Sequence, residues 1–122
     1  MNIYAHNILD HYQRPRHRGL LKNADASFHE LNRSCGDDMT AYVKIKDGLV
    51  SAISFEGLGC AIAIASSSII SDSLLGKEVT TVMSMDLSDL QPLLGIDIST
   101  RRQKCALIGL RALQGAIKKT QE

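Results

Sequence analysis

The hydrophobic positions of this chain change period as the sequence proceeds. From Ile3 to Tyr12, Tyr4, Ile8 and Tyr12 recur at every fourth place with Ala5 and Leu9 beside them, while His6, Asn7 and Asp10 fall opposite. That spacing predicts an amphipathic helix packed on the body through its tyrosine face, with His11 on the polar side. Pro15 ends it, because proline disfavours helix in the residue before it. Arg14, Arg16, His17 and Arg18 then make a basic loop that closes at Gly19 and reads as solvated surface.

The period then drops to two. Ser27–Leu31 alternates weakly, Met39–Lys46 more clearly, and Asp47-Gly48 follows. Asp-Gly between strand-like runs predicts a type I′ hairpin, with Leu49–Phe55 as the return strand. A two-residue turn pairs Lys46 with Leu49, Ile45 with Val50, Val43 with Ala52 and Tyr42 with Ile53. One face then holds Ala41, Val43, Ile45, Val50 and Ala52, and the other Thr40, Tyr42, Ile53 and Phe55. Both faces are apolar, so the pattern does not choose the core side.

After Gly57-Leu58-Gly59-Cys60 the run AIAIASSSIISDSLLG reads as a helix stopped at Gly76. Its Ala- and Ser-rich first half predicts close packing, or hydroxyls turned inward. Short helices are expected in Lys77–Met85 and in Asp86–Leu90, the second stopped by Pro92. Thr100 and Gln103 stand at capping-box spacing. The last helix spans Arg101–Lys118, with Ala106, Leu110, Leu113 and Ile117 as its core stripe and Cys105, Ile108, Ala112 and Ala116 on the flank. One helix, three strands and then helices predict an α+β fold, a small three-stranded antiparallel sheet covered by helices, in a single domain over 1–122.

Composition adds bounds. At 122 residues and 44% hydrophobic content the chain can build a core without disulfides. Lys+Arg 14 against Asp+Glu 13 gives +1, which points to neither nucleic acid nor a basic partner. The longest apolar run, Cys60–Ala65, is far too short to span a membrane. The first residues lack a signal-peptide layout, and a cytoplasmic chain is expected. An odd count of 3 cysteines argues against a disulfide framework.

Those cysteines carry the chemistry. Cys35 lies in a loop between strands, Cys60 where a strand becomes a helix, and Cys105 in the first turns of the last helix, 25 and 45 residues apart in sequence. That is not a local zinc knuckle; any site would be assembled by the fold. Cys60 precedes a helix whose free N–H groups favour an anion. Cys105 has Arg101, Arg102 and Lys104 nearby, which favour a thiolate. Gly36, Gly57 and Gly59 allow close backbone approach to a bulky inorganic group. Asp37 supplies an oxygen, so three thiolates and a carboxylate could hold Zn²⁺ or iron of a sulfide cluster. A hard oxygen in place of a fourth thiolate weakens cluster binding and suits cargo that is released. No histidine has metal-ligand spacing, and the Ser66–Ser68 run lacks any Asp–His signal for catalysis.

These residues carry a resemblance. Tyr12-Gln13-Arg14-Pro15-Arg16-His17-Arg18-Gly19, Cys35-Gly36-Asp37, the run Gly57-Leu58-Gly59-Cys60-Ala61 through Ala65-Ser66-Ser67-Ser68, and Cys105 resemble the motifs of the IscU/SufU/NifU-N family of iron–sulfur cluster assembly scaffolds. The resemblance covers nearly the whole chain. It implies that Cys35, Asp37, Cys60 and Cys105 hold a transient [2Fe–2S] cluster, or Zn²⁺ in the same place. It further implies a pyridoxal-phosphate cysteine desulfurase as sulfur donor and apo-proteins or carriers as cluster acceptors. Such a scaffold binds and assembles; it is not an enzyme in the strict sense.

The chain also departs from the family's branches. Lys104 replaces the histidine that IscU-type members place before the third cysteine. Ile98-Ser99-Thr100-Arg101-Arg102 replaces their Leu-Pro-Pro-Val-Lys segment, so the resemblance gives no support for a DnaK-type chaperone partner. Arg102-Gln103-Lys104-Cys105-Ala106 instead resembles the SufU type, whose members accept sulfur with zinc bound. The 45-residue spacing nevertheless lacks the usual SufU insertion. The alternative function is therefore a zinc-dependent sulfurtransferase in which Cys35 or Cys105 accepts persulfide sulfur. In that setting Lys104 is placed to pair with Asp37 when metal leaves. A third reading is a purely structural zinc site or three buried cysteines.

Overall fold

The computed structural model describes residues 3–121, with side chains from residue 6 onward. Helix α1 (Ile3–Gln13) leads into an antiparallel sheet of β1 (Ala26–Asn32), β2 (Asp37–Lys46) and β3 (Leu49–Leu58) in that order. Then come α2 (Ala61–Ser73), α3 (Val79–Met83), α4 (Leu87–Leu94), a 3₁₀ turn (Thr100–Arg102) and α5 (Gln103–Thr120). This is the expected α+β arrangement. Helix α5 lies along β1 and β2, and α2 packs on α5, α1 and β3. Among the described residues no helix is long and apolar enough to cross a membrane.

The hairpin turn is as predicted, with Asp47 (φ 54°) and Gly48 (φ 75°) both left-handed. Pairing starts in the expected register, Lys46 with Leu49 and Ile45 with Val50. It then shifts at a bulge between Lys44 and Ile45, so Val43 faces Ile53 and Tyr42 faces Ser54, not Ala52 and Ile53. One extra residue on β3 turns the rest of that strand over. Ile53 and Phe55 therefore join Met39, Ala41, Val43 and Val50 in the core, while Ala52 is only half-buried. The bulge decides the core face that alternation left open.

Helix α1 departs from expectation. Tyr12 is 43% exposed and Leu9 40%, whereas His11 is 8% exposed; the side chains of Tyr4 and Ala5 lie outside the described ones. His11 faces the serines of α2, its Nδ1 2.7 Å from Ser68 Oγ. The Arg16 N–H donates to the same hydroxyl at 2.8 Å. A polar helix face offers these hydroxyls a partner that a phenyl ring cannot. The basic loop is likewise structured. His17 and Gly19 exchange backbone hydrogen bonds with Phe55, and His17 Nε2 lies 2.9 Å from Asp72 Oδ1.

The hydroxyls of α2 do turn inward. Ser66 Oγ donates to the Ala106 carbonyl of α5 at 2.6 Å, and Ser67 and Ser71 donate back to Ala63 and Ser68 within the helix. At Gly109 of α5 an added Cβ would stand 2.4 Å from Ser67 Oγ and 3.1 Å from its Cα. The two helices touch almost backbone to backbone. Helix α5 buries Ala106, Leu110, Leu113 and Ile117 as expected, and also Cys105, Ile108, Ala112 and Ala116. A helix held between a sheet and another helix buries a broad arc, not a single stripe.

Two boundary expectations fail. Helix α4 runs through Pro92 to Leu94 and ends at Gly95 (φ 73°). Leu90 and Leu94, one turn apart and fully buried, hold the segment helical past the missing N–H. The capping box forms at Asp86 and Asp89 of α4. Thr100 and Gln103 form none, because Thr100 opens the 3₁₀ turn behind an uncapped Ser99.

Gly109→Ala should cost about 1–3 kcal/mol by forcing α2 from α5, read as a lower urea midpoint. A pH effect follows from His11. Burial first, and the Arg16 guanidinium second, hold its imidazole below the ordinary 6.5. Below 6.5 the unfolded chain takes up the proton more readily, so stability should fall as the pH drops from there. Urea midpoints at about pH 7.5 and about pH 5.5 should differ less in His11→Gln than in the wild type.

Candidate metal centre

Two chain reversals and one helix end meet at the site. Asn32 and Asp37 are the last pair of the β1–β2 ladder, and the turn between them carries Cys35. The Cys35 N–H donates to the Asn32 carbonyl at 3.3 Å, leaving the Cys35 side chain exposed at the tip. Asp37, two residues on, has core-facing parity and is 2% exposed. Across the sheet, β3 ends at Leu58, and Cys60 is the N-cap residue of α2. Cys105, the third residue of α5, is fully buried.

Two of the three glycines also make room for the protein itself. A Cβ at Gly57 would fall 2.2 Å from the Asp38 carbonyl oxygen, and one at Gly59 3.1 Å from Asp37 Oδ1. They clear space for β2 and for the Asp37 carboxylate. Gly36 has nothing within 4 Å of its Cβ position.

Cys35, Asp37 and Cys105 each offer one ligating atom, and the three atoms lie within 4.8 Å of one another. The Cys105 thiol sits 3.1 Å from Cys35 Sγ, and all three cysteines are free. Cys60 stands one step outside this set. Its backbone N–H donates to Asp37 Oδ1 at 3.0 Å, which joins Cys60 to the cluster through its main chain. The other carboxylate oxygen, Asp37 Oδ2, is buried and has no hydrogen-bond partner among the described residues. A buried, unsatisfied carboxylate oxygen is costly. With the Cys35 and Cys105 sulfurs close by, this oxygen makes a donor set of soft thiols and one hard carboxylate, which fits zinc or iron.

Electrostatics correct another expectation. Burial, then contacts with the side chains of Cys35, Asp37 and Cys60, push the Cys105 thiol pKa well up. Arg101, Arg102 and Lys104 are exposed and do not offset this. A buried thiol without a cation stays protonated, whereas metal coordination deprotonates it outright. Lys104 makes no ion pair with Asp37 among the described residues.

Sequence reasoning passed over Asn32. It is 7% exposed, and its amide Nδ2 lies 3.9 Å from Cys105 Sγ. The available signal was parity, since Asn32 falls on the same face of β1 as Ala26 and Phe28. Among the described residues no histidine joins the cluster.

A profile of the NifU-like N-terminal domain matches residues 3–122. The chain belongs to this family. It is 31% identical to the zinc-dependent sulfurtransferase SufU of Bacillus subtilis, covering 96% of this chain and 90% of that protein. It is 33% identical to the iron–sulfur cluster assembly scaffold protein IscU 1 of Archaeoglobus fulgidus, covering 94% and 74%. The N-terminal NifU-like protein of Brucella abortus superposes with a TM-score of 0.79 at 22% identity over 98% of this chain and 94% of that one, a likeness of fold. Both names attach to NifU-like relatives of similar identity, so identity alone does not separate scaffold from sulfurtransferase.

In the metal-free NifU-like chain, iodoacetamide should modify Cys35 first, Cys60 next and Cys105 last, following exposure. Peptide mass spectrometry at short reaction times checks the order. Early labelling of Cys105 would contradict the buried placement.

Proposed function

We propose that this NifU-like chain is an iron–sulfur cluster assembly scaffold. It takes sulfur from a cysteine desulfurase and iron from solution, and carries a transient [2Fe–2S] cluster on Cys35, Asp37, Cys60 and Cys105. It then passes the cluster to apo-proteins or carriers. The observation that supports this most is the convergence of Cys35, Asp37 and Cys105 within 4.8 Å around a carboxylate oxygen without a partner. The free thiols suit a reducing cytoplasm.

Exposure separates the two candidate sulfur acceptors. Cys35 is exposed and Cys105 fully buried, so Cys35 is the side chain a desulfurase can reach. Its thiolate attacks the outer sulfur of the desulfurase persulfide. The persulfide bond breaks, the donor cysteine leaves as thiolate, and the sulfur is carried on Cys35 as a persulfide, whose outer sulfur becomes cluster sulfide when a thiol reductant or ferrous iron supplies two electrons. Cys60 and Cys105 supply the deeper thiolates. Asp37 supplies the weaker oxygen that lets cargo leave.

The second reading is a zinc-dependent sulfurtransferase. It is supported by Arg102-Gln103-Lys104-Cys105-Ala106 and by the SufU relative. There zinc would be held by the same residues, and Cys35 would still accept the sulfur. A chaperone step finds no support in the sequence, where Ile98-Ser99-Thr100-Arg101-Arg102 stands in place of the segment that IscU-type members present.

Anaerobic reconstitution with a cysteine desulfurase, cysteine and ferrous iron separates the readings. Iron and acid-labile sulfide gained in equal amounts, with zinc displaced, mark a scaffold. Zinc retained, with a persulfide on Cys35 and no sulfide, marks a sulfurtransferase. Cys35→Ala, Cys60→Ala and Cys105→Ala should each abolish stable metal binding, since each removes a thiolate, the ligand type that holds zinc or cluster iron most strongly. A variant that kept wild-type metal content would remove its cysteine from the ligand set. Asp37→Ala should lengthen the lifetime of a reconstituted cluster, followed by its visible absorption. Faster loss would overturn the labile-ligand argument.

A further inference from the structure

The near-neutral net charge hides a polarised surface. From residue 98 to residue 121 the chain carries Arg101, Arg102, Lys104, Arg111, Lys118 and Lys119 and no carboxylate. All six cations are exposed. The first turn of α5 has no acidic residue, so Arg101, Arg102 and Lys104 crowd the positive end of the helix dipole. That arrangement costs stability in the free chain. None of the six forms an ion pair with a described carboxylate. Charge left uncompensated at such a cost is available to a partner.

The end of β1 brings Arg33 to the same place. Between it and α5 lies a cleft of about 280 Å³ lined by Arg33, Lys104 and Arg111. Leu31, 53% exposed, and Ile108, 1% exposed, give it apolar wall, and Glu30 is its one carboxylate. Asn32 also lines the cleft while its amide touches Cys105 Sγ, so the cleft adjoins the cysteine site directly.

We infer that this cleft docks a carboxylate-bearing peptide segment of a protein partner, seating that partner beside Cys35 and Cys105. Three cations meet two or more carboxylates, and the exposed Leu31 at the rim gives an apolar side chain a contact. Nucleic acid fits less well. The lining has no aromatic ring to stack a base, and Glu30 opposes a continuous phosphate backbone. The inference rests on the scaffold reading only for what the partner delivers or removes; the charge arrangement stands without it.

The test uses the full chain loaded with zinc and a short fluorescein-labelled peptide of Asp, Glu and Leu, followed by anisotropy at low salt. The peptide should bind, release with added salt, and lose about tenfold in affinity when Arg33→Glu, Lys104→Glu and Arg111→Glu are combined. Arg33→Gln with Arg111→Gln, which leaves the neighbour of Cys105 untouched, should give part of that loss. Lys118→Glu with Lys119→Glu, on the far end of α5, should give little. Four results would overturn the inference: no binding up to millimolar peptide, equal binding of the Asn/Gln version, unchanged affinity in the triple variant, or displacement by an oligonucleotide of equal charge at lower concentration. Zinc per chain and thermal midpoint are measured on the same samples. Full zinc without peptide binding sinks the cleft and spares the scaffold reading. Peptide binding by a wild-type chain that takes neither zinc nor cluster does the reverse.

Discussion

A buried carboxylate joins the parts of this molecule that carry its chemistry. Asp37 opens β2 with its side chain turned inward, and one oxygen accepts the N–H of Cys60 at the start of α2. That single bond ties the β1–β2 turn to the β3–α2 junction, and Gly59 keeps the space for it. The other oxygen has no partner among the described residues. An interior tolerates such an atom only where something else offsets the desolvation. Here the thiols of Cys35 and Cys105 share its site. The carboxylate is thus both a structural tie and an open valence.

The third cysteine reaches this place through helix packing. Cys105 is positioned by α5, and α5 is positioned by its contact with α2. Gly109 and Ser67 let the two backbones come close, and Ser66 crosses to the Ala106 carbonyl next to Cys105. The serine run is therefore an adhesive between helices, with hydroxyls paired where a longer side chain would force the helices apart. His11 and Arg16 use the opposite side of the same run to fasten α1. Packing, polar satisfaction and the placement of a thiol are one arrangement here.

The site is asymmetric in a way that matches its proposed work. Cys35 is on a turn at the surface, and Cys105 is beneath it at 3.1 Å. Sulfur can arrive at the exposed thiol and be handed inward, and cargo can leave by the same face. Arg33, just after β1, and Lys104 and Arg111 of α5 line the adjoining cleft, outside the ligand set. Their charge acts over a distance on what approaches, whereas the thiol at the centre is governed by burial.

The amino-acid sequence by itself determined the α+β class, the Asp47-Gly48 hairpin, the inward serines of α2 and the candidacy of Cys35, Asp37 and Cys105, which the fold brings together. These depend on local spacing and on residue chemistry, which a linear string displays. Tertiary structure alone decided the rest. A bulge of one residue chose the core face of β3, since period-two alternation cannot register an inserted position. The serine surface of α2 drew His11 inward and left Tyr12 outside, a preference invisible from α1 alone. Buried Leu90 and Leu94 carried α4 through Pro92, because packing outweighed one absent hydrogen bond. Burial, not the neighbouring arginines, set the state of the Cys105 thiol. Desolvation depends on every atom the fold brings near, and no stretch of sequence contains that information.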